Sequence, residues 1–176
     1  MAPDRLRAAF FDFLTQSLLH QAKHMQKIST RLATLDDLEQ LAMMFDAYRQ
    51  FYALAPDLAL SRQFLRARMQ GREAVLLLAE DEAGHGVGFC QLYPSFCSLA
   101  AAPIYALYDL FVVPDARHAG AGRALLLAAE AQAAQQGAVR LDLTTARTNL
   151  PAQSLYASLG WQRDDIFYAY SKTLAA

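Results

Sequence analysis

The run Val112-Val113-Pro114-Asp115-Ala116-Arg117-His118-Ala119-Gly120-Ala121-Gly122-Arg123 leads out of an apolar stretch into an alanine- and leucine-rich one. A helix start leaves several backbone N–H groups without partners, and the aligned peptide dipoles place partial positive charge there. Anions bind at such ends. Gly120 and Gly122 let the chain turn and approach a ligand with no Cβ in the way. Arg117 and Arg123 add planar cations suited to phosphate oxygens. The local chemistry points to a diphosphate, and so to a phosphate-bearing cofactor.

The same segment resembles the Arg/Gln-x-x-Gly-x-Gly/Ala motif of the GNAT superfamily, the acyl-CoA-dependent N-acetyltransferases, matched by Arg117, Gly120 and Gly122. The resemblance runs back through Tyr108-Asp109-Leu110-Phe111-Val112, where that family has its central cofactor-binding strand. It runs forward to Asn149-Leu150-Pro151-Ala152-Gln153-Ser154-Leu155-Tyr156 and Leu159-Gly160-Trp161. One such motif is weak, but two blocks in order and at the right separation are specific. Together they span about residues 28 to 174. The stretch Gly88 to Phe96 feeding into Tyr108 to Val112 looks like a bacterial branch that includes spermidine/spermine N-acetyltransferases, although the acidic cluster of a polyamine pocket is absent.

The resemblance implies an α/β (α+β) fold with a central mixed, mostly antiparallel, twisted sheet of six to seven strands and helices on both faces. It implies direct acetyl transfer from acetyl-CoA to an amine in a ternary complex. Backbone N–H groups of His118, Ala119, Gly120, Ala121, Gly122 and Arg123 would then hold the diphosphate. Main-chain groups of Leu110, Phe111 and Val112 would pair with the pantetheine amides like an added strand. Tyr156 falls on the family's tyrosine position and is the expected general acid. Aligned by Arg117, Tyr108 stands where many relatives carry a glutamate base. Asp109 is next to it, expected on the opposite strand face, and direct base action by Asp109, a substrate-site role for Tyr108 and a water relay all stay open. Asn149 is expected to reach the cofactor or to cap the helix behind it. Ala152 replaces a serine found in several relatives, which removes one polar contact.

These residues need a scaffold that the rest of the chain must supply. Ile28 to Ala33 alternates as a half-buried strand, and Thr34 starts a helix through about Gln50. Pro56 and Asp57 open a second helix that stops at Gly71. Glu73 to Glu80 and Val87 to Tyr93 are strands joined by the turn Asp81 to Gly86. Pro94 to Pro103 is expected as a loop, 104 to 113 as a long strand, 122 to 136 as a helix ended by Gly137. A strand over 139 to 145, a short helix over 149 to 159 and a final strand over 166 to 174 complete the order β-α-α-β-β-β-α-β-α-β. The last strand would offer an edge for exchange into a homodimer.

At 176 residues the chain suits one full domain, 28 to 176, behind an extension of residues 1 to 27 that is helical or disordered. Arg5 and Arg7 before Ala8 to Leu14 imitate a signal peptide, but Asp12 and Gln16 interrupt it. Met25 is a plausible start, so loss of residues 1 to 24 is expected to leave folding and activity intact. A net charge of −1 offers no basic stripe for nucleic acid, and no apolar run reaches membrane-spanning length. Two cysteines without a C-x-x-C pattern indicate reduced thiols and a cytoplasmic protein. His20, His24, His85 and His118 lack metal-ligand spacing, so no metal is expected.

Tyr48, Phe51, Tyr52, Tyr93, Phe96 and Tyr105 are candidates for either an acceptor pocket or the core. The expected activity is N-acetylation of a small-molecule primary amine. The alternatives are a protein or peptide N-acetyltransferase and a non-catalytic acyl-CoA-binding module. A nucleoside triphosphatase lacks its Gly-Lys-Ser/Thr, and a dinucleotide site lacks its third glycine.

Overall fold

The computed structural model describes residues 27 to 174. They fall in two compact units, one ending at Leu143 and the other beginning at Thr144. The first holds a five-stranded sheet in chain order: β1 (Ser29–Leu32), β2 (Val75–Glu80), β3 (Gly86–Cys97), β4 (Ala102–Val112) and β5 (Leu141–Leu143). Neighbours from β1 to β4 are antiparallel, and β5 joins β4 in parallel. Between the strands come α1 (Leu38–Phe51), α2 (Leu58–Gln70) and α3 (Ala121–Gln135).

Each face of the sheet is closed by helices because β2 and β3 are apolar on both sides. Leu76, Leu78, Phe89 and Phe111 pack with Leu41, Phe45 and Leu65 from α1 and α2 in one core cluster. One residue along from Phe89, Cys90 points the other way, its Sγ 3.9 Å from the carbonyl of Leu125 in α3. Alternating side chains of one strand therefore serve two helical layers. Gly88 is required by closeness: a Cβ there would lie 2.7 Å from the Phe111 carbonyl oxygen.

Local capping rules set the helix ends. Asp57 caps α2 by accepting from Leu60 N–H at 2.9 Å, and Gly137 follows α3 with φ +74°. Ahead of α1, a single 3₁₀ turn (Leu35–Asp37) buries Asp37. Its carboxylate accepts from both terminal nitrogens of Arg31 at 2.7 Å, from Thr34 N–H at 2.8 Å and from Gln40 at 2.9 Å.

Three expectations from the sequence are corrected. Pro94 does not end β3, which continues to Cys97 and leaves only Ser98 to Ala101 as the turn. Pairing with β2 stops at Leu92, so Pro94 lies where β3 is an edge on that side and its missing N–H costs nothing. The sheet has five strands among the described residues, not six to seven. Ile166 to Leu174 forms no strand, because the Asp164 carboxylate takes the N–H groups of Ile166 and Phe167 at 2.8 and 3.0 Å and turns the chain there. The edge on which a homodimer exchange was expected is thus absent from the described residues. Finally, β5 is three residues long rather than 139 to 145, its ladder ending at the Leu107–Leu143 pair. The helical or disordered extension, up to residue 26, and the proposed start at Met25 lie outside the described residues.

Candidate active site

β4 changes character at Tyr108. Gln91 faces Asp109 and Leu92 faces Leu107, so Tyr108 is an extra residue with no counterpart on β3, a β-bulge. On the other side the pairing with β5 ends one residue earlier. From Tyr108 to Val112 the strand is thus paired to β3 alone, and its second edge has no strand partner among the described residues. Bulge and ladder end coincide for one reason: an extra residue bends the strand away from a flat neighbour.

The bulge also corrects the expected facing of two residues. Simple alternation would put Tyr108 and Asp109 on opposite sides, but the extra residue resets the phase. Tyr108 packs edge to face on Tyr93, ring centroids 5.6 Å apart, and Tyr93 feels the charge of Asp109 as well. Asp109 is 7% exposed and lies near enough to the Tyr48 hydroxyl on α1 for that phenol to favour its charged form, whereas Tyr108 is 72% exposed. Burial drives the Asp109 carboxyl above the ordinary carboxylate range, and the nearby Tyr48 hydroxyl only partly offsets this. Burial, then the Asp109 charge, pushes the Tyr48 phenol upward too. The neighbouring Cys90 thiol is raised to about 12 by burial, so it is an inert packing group and not a nucleophile.

Sequence reasoning did not single out Gln91. It is fully buried directly across from Asp109, and its Nε2 donates to the Tyr93 hydroxyl. The signal was available: one amide inside the apolar run Val87 to Leu92. Of the six candidate aromatics, Tyr48 meets Phe89 and Phe111 at 6.1 and 6.2 Å and continues to Tyr52 at 5.2 Å. Phe51 follows Tyr52 edge to face, and Tyr93 joins Tyr108. Tyr105 is buried in the core, and Phe96 stands in solvent.

Beyond Val112 a 3₁₀ turn (Pro114–Ala116) delivers Arg117 in extended conformation, then His118 at φ +66° and Gly120 at φ +91°. Left-handed residues so spaced curl the backbone into the kind of concavity that gathers amides for an anion. Gly120 caps α3, whose first i→i−4 bond runs from Ala124 N–H to Gly120 O at 2.9 Å. The amides of Ala121, Gly122 and Arg123 therefore have no intrahelical acceptor. Arg117 braces this turn: its Nε donates to Val112 O at 3.2 Å and its guanidinium lies 6.0 Å from the Phe51 ring centroid. A Cβ on Gly120 would meet nothing within 4 Å, so its backbone angle and not crowding demands glycine. Gly120→Ala is expected to cost roughly 1 to 2 kcal/mol of stability, the strain of a left-handed backbone carrying a Cβ. A thermal melt of the variant checks this.

In the second unit, α4 (Leu150–Ser158) is capped by Asn149, whose Oδ1 accepts from Ala152 N–H at 3.4 Å while Nδ2 donates to Thr145 Oγ1 at 3.3 Å. The capping role of Asn149 is thus realised, and it occupies the Ala152 amide. Tyr156 is half-buried on this helix with its ring 6.0 Å from Trp161. Gly160, at φ +84°, turns the chain so that Trp161 N–H reaches Tyr156 O at 3.1 Å.

The site is thus a strand bared on one edge, running into an amide-rich helix start. The chain belongs to the Acetyltransferase (GNAT) family, whose model matches residues 41–161. It is 44% identical over 149 residues to an uncharacterised N-acetyltransferase of Bacillus subtilis, covering 85% of this chain and 99% of that one. The crystal structure of a probable acetyltransferase matches 84% of this chain and 99% of its own with a TM-score of 0.78 and 37% identity. A mycothiol acetyltransferase of Pseudarthrobacter chlorophenolicus is 36% identical over 117 residues, 64% of this chain and 36% of that protein. The protein is an acyltransferase, and enzymes of its family generally use acetyl-CoA. No helix among the described residues is long and apolar enough to cross a membrane.

Proposed function

We propose that this enzyme moves an acetyl group from acetyl-CoA to a primary amine of a small molecule, directly, within a ternary complex. The observation that carries the reading is the coincidence on β4 of a buried carboxyl with raised proton affinity, a bared strand edge and, a few residues on, a left-handed helix start. The residues fit coenzyme A: the Leu110, Phe111 and Val112 edge suits the pantetheine amides, and the amides of His118 to Arg123 suit the diphosphate. Bound there, acetyl-CoA supplies an activated thioester.

Asp109 Oδ takes a proton from the ammonium of the acceptor, which frees the nitrogen lone pair. Its raised pKa brings a carboxylate closer to the proton affinity of its donor than an exposed aspartate would. Tyr108 and Tyr93 form an aromatic wall beside it, favourable to a cation. Tyr156 Oη is the acid toward the departing sulfur. Tyr156→Phe is expected to lower kcat about 10- to 100-fold with coenzyme A affinity unchanged. Equal turnover in the variant would remove that role.

A relative named for mycothiol supports a small-molecule acceptor. The free thiols Cys90 and Cys97 suit a reducing, cytoplasmic setting. Thiol release from acetyl-CoA, measured with alkylamines, amino-acid amides, polyamines and peptides, tests the reading. We expect turnover with a small amine. Turnover on peptides alone would establish a protein N-acetyltransferase, and binding of acetyl-CoA without release on any amine would leave an acyl-CoA-binding module.

A further inference from the structure

Gln91 carries a buried carboxamide whose two ends are treated differently. Nε2 donates to the Tyr93 hydroxyl, while Oε1, also inaccessible to solvent, has no hydrogen-bond partner among the described residues. A buried acceptor left unpaired costs about 1 to 3 kcal/mol. Native proteins keep such groups where a ligand or bound water completes them. Gln91 lies in register with Asp109, and the aromatic pair Tyr93–Tyr108 borders both.

We infer that Gln91 is a specificity-determining residue, its Oε1 accepting one N–H of the acceptor while Asp109 accepts another. This rests on the amine-acetyltransferase reading and adds a selection rule to it. Two acceptors side by side require a nucleophilic atom with at least two hydrogens, so a primary amine satisfies the pair and an alcohol or thiol leaves one oxygen unpaired. One proton passes from the ammonium nitrogen to an Asp109 oxygen. No bond changes at Gln91, which keeps a remaining N–H and so orients the lone pair. Tyr108, next to Asp109, has its ring in solvent and, as the bulge residue, no counterpart on β3.

The Tyr93 bond and the free oxygen separate by substitution. Gln91→Met loses both, Gln91→Glu keeps oxygen acceptors but loses the donor to Tyr93, and Tyr93→Phe loses only the phenol. KM and kcat are measured for n-butylamine and for whichever panel amine the wild type turns over fastest, with thermal unfolding confirming that each variant is folded. The amine KM is expected to rise about tenfold or more in Gln91→Met and by a smaller factor in Gln91→Glu and Tyr93→Phe, with acetyl-CoA KM constant throughout, as for one lost hydrogen bond. An unchanged amine KM in Gln91→Met overturns the inference, and so do equal losses in the Met and Glu variants or in Gln91→Met and Tyr93→Phe, which would make Gln91 a support for Tyr93. Should Gln91→Met not fold, the Glu and Phe variants decide: a tenfold loss in Gln91→Glu overturns it. A wild-type protein that releases no thiol with any amine fails the parent reading instead.

Discussion

Asp109→Asn is expected to reduce kcat about 100- to 1000-fold while coenzyme A affinity stays within about twofold. Asparagine preserves shape, but it cannot take a proton. The pH profile separates a base from a structural group. Protonated Asp109 cannot act, so wild-type kcat/KM should fall as pH drops through a pKa above the ordinary carboxylate value near 4. The variant should lack that limb. Stability moves the other way. Because the folded carboxyl has a raised pKa, its contribution is complete below the unfolded value and is lost as pH rises through the folded one. Asp109→Asn should therefore melt higher than wild type at pH 8 and gain nothing near pH 4. An acidic limb that survives in the variant would assign proton uptake to another group or to water.

Asp37→Ala is expected to cost about 2 to 4 kcal/mol of stability, the scale of breaking a buried charge network from one side. The carboxylate ties β1 to the start of α1 through Arg31, and Arg31 also bonds Glu80 at the end of β2. Removing it strands the Thr34 N–H and one face of the guanidinium. The fall in melting temperature should be about 6 to 12 °C. Arg31 beside it holds the Asp37 carboxyl well below the usual range. The stabilisation is thus complete well above the unfolded pKa near 4 and is lost progressively as pH falls from there toward the much lower folded one. The gap between wild type and variant in thermal melts should narrow from pH 7 to pH 3 without closing. A parallel offset at every pH would mean that packing, not charge, is what Asp37 provides.

How far the sequence could be read follows from the range of the forces involved. The helix expected over 122 to 136 forms at Ala121–Gln135, and the capping residues Asp57 and Asn149 act where side-chain chemistry placed them. These depend on neighbours within a few residues, and so does the positive φ of Gly120 at the helix start. The strand expected over 166 to 174 does not form. A sequence shows that a segment suits a strand, not that a partner exists, and Asp164 offered the first of those amides a nearer acceptor. Pro94 misled for the converse reason. Whether proline ends a strand depends on which side of it lacks a neighbour, and that is a property of the sheet.

The amino acids alone determined the turn from Pro114 to Arg123, the cap at Asn149, the mixed α/β order and the family, since each is written in contiguous residues whose dihedral and hydrogen-bonding preferences are local. Tertiary structure alone decided that Tyr108 is a bulge packed on Tyr93, that Asp109 is buried near Tyr48 of α1, and that Gln91 lies across from it with one oxygen unspent. Those facts arise from the register between strands distant in sequence and from burial, which together set the proton affinity of a carboxyl and leave one amide oxygen unpaired.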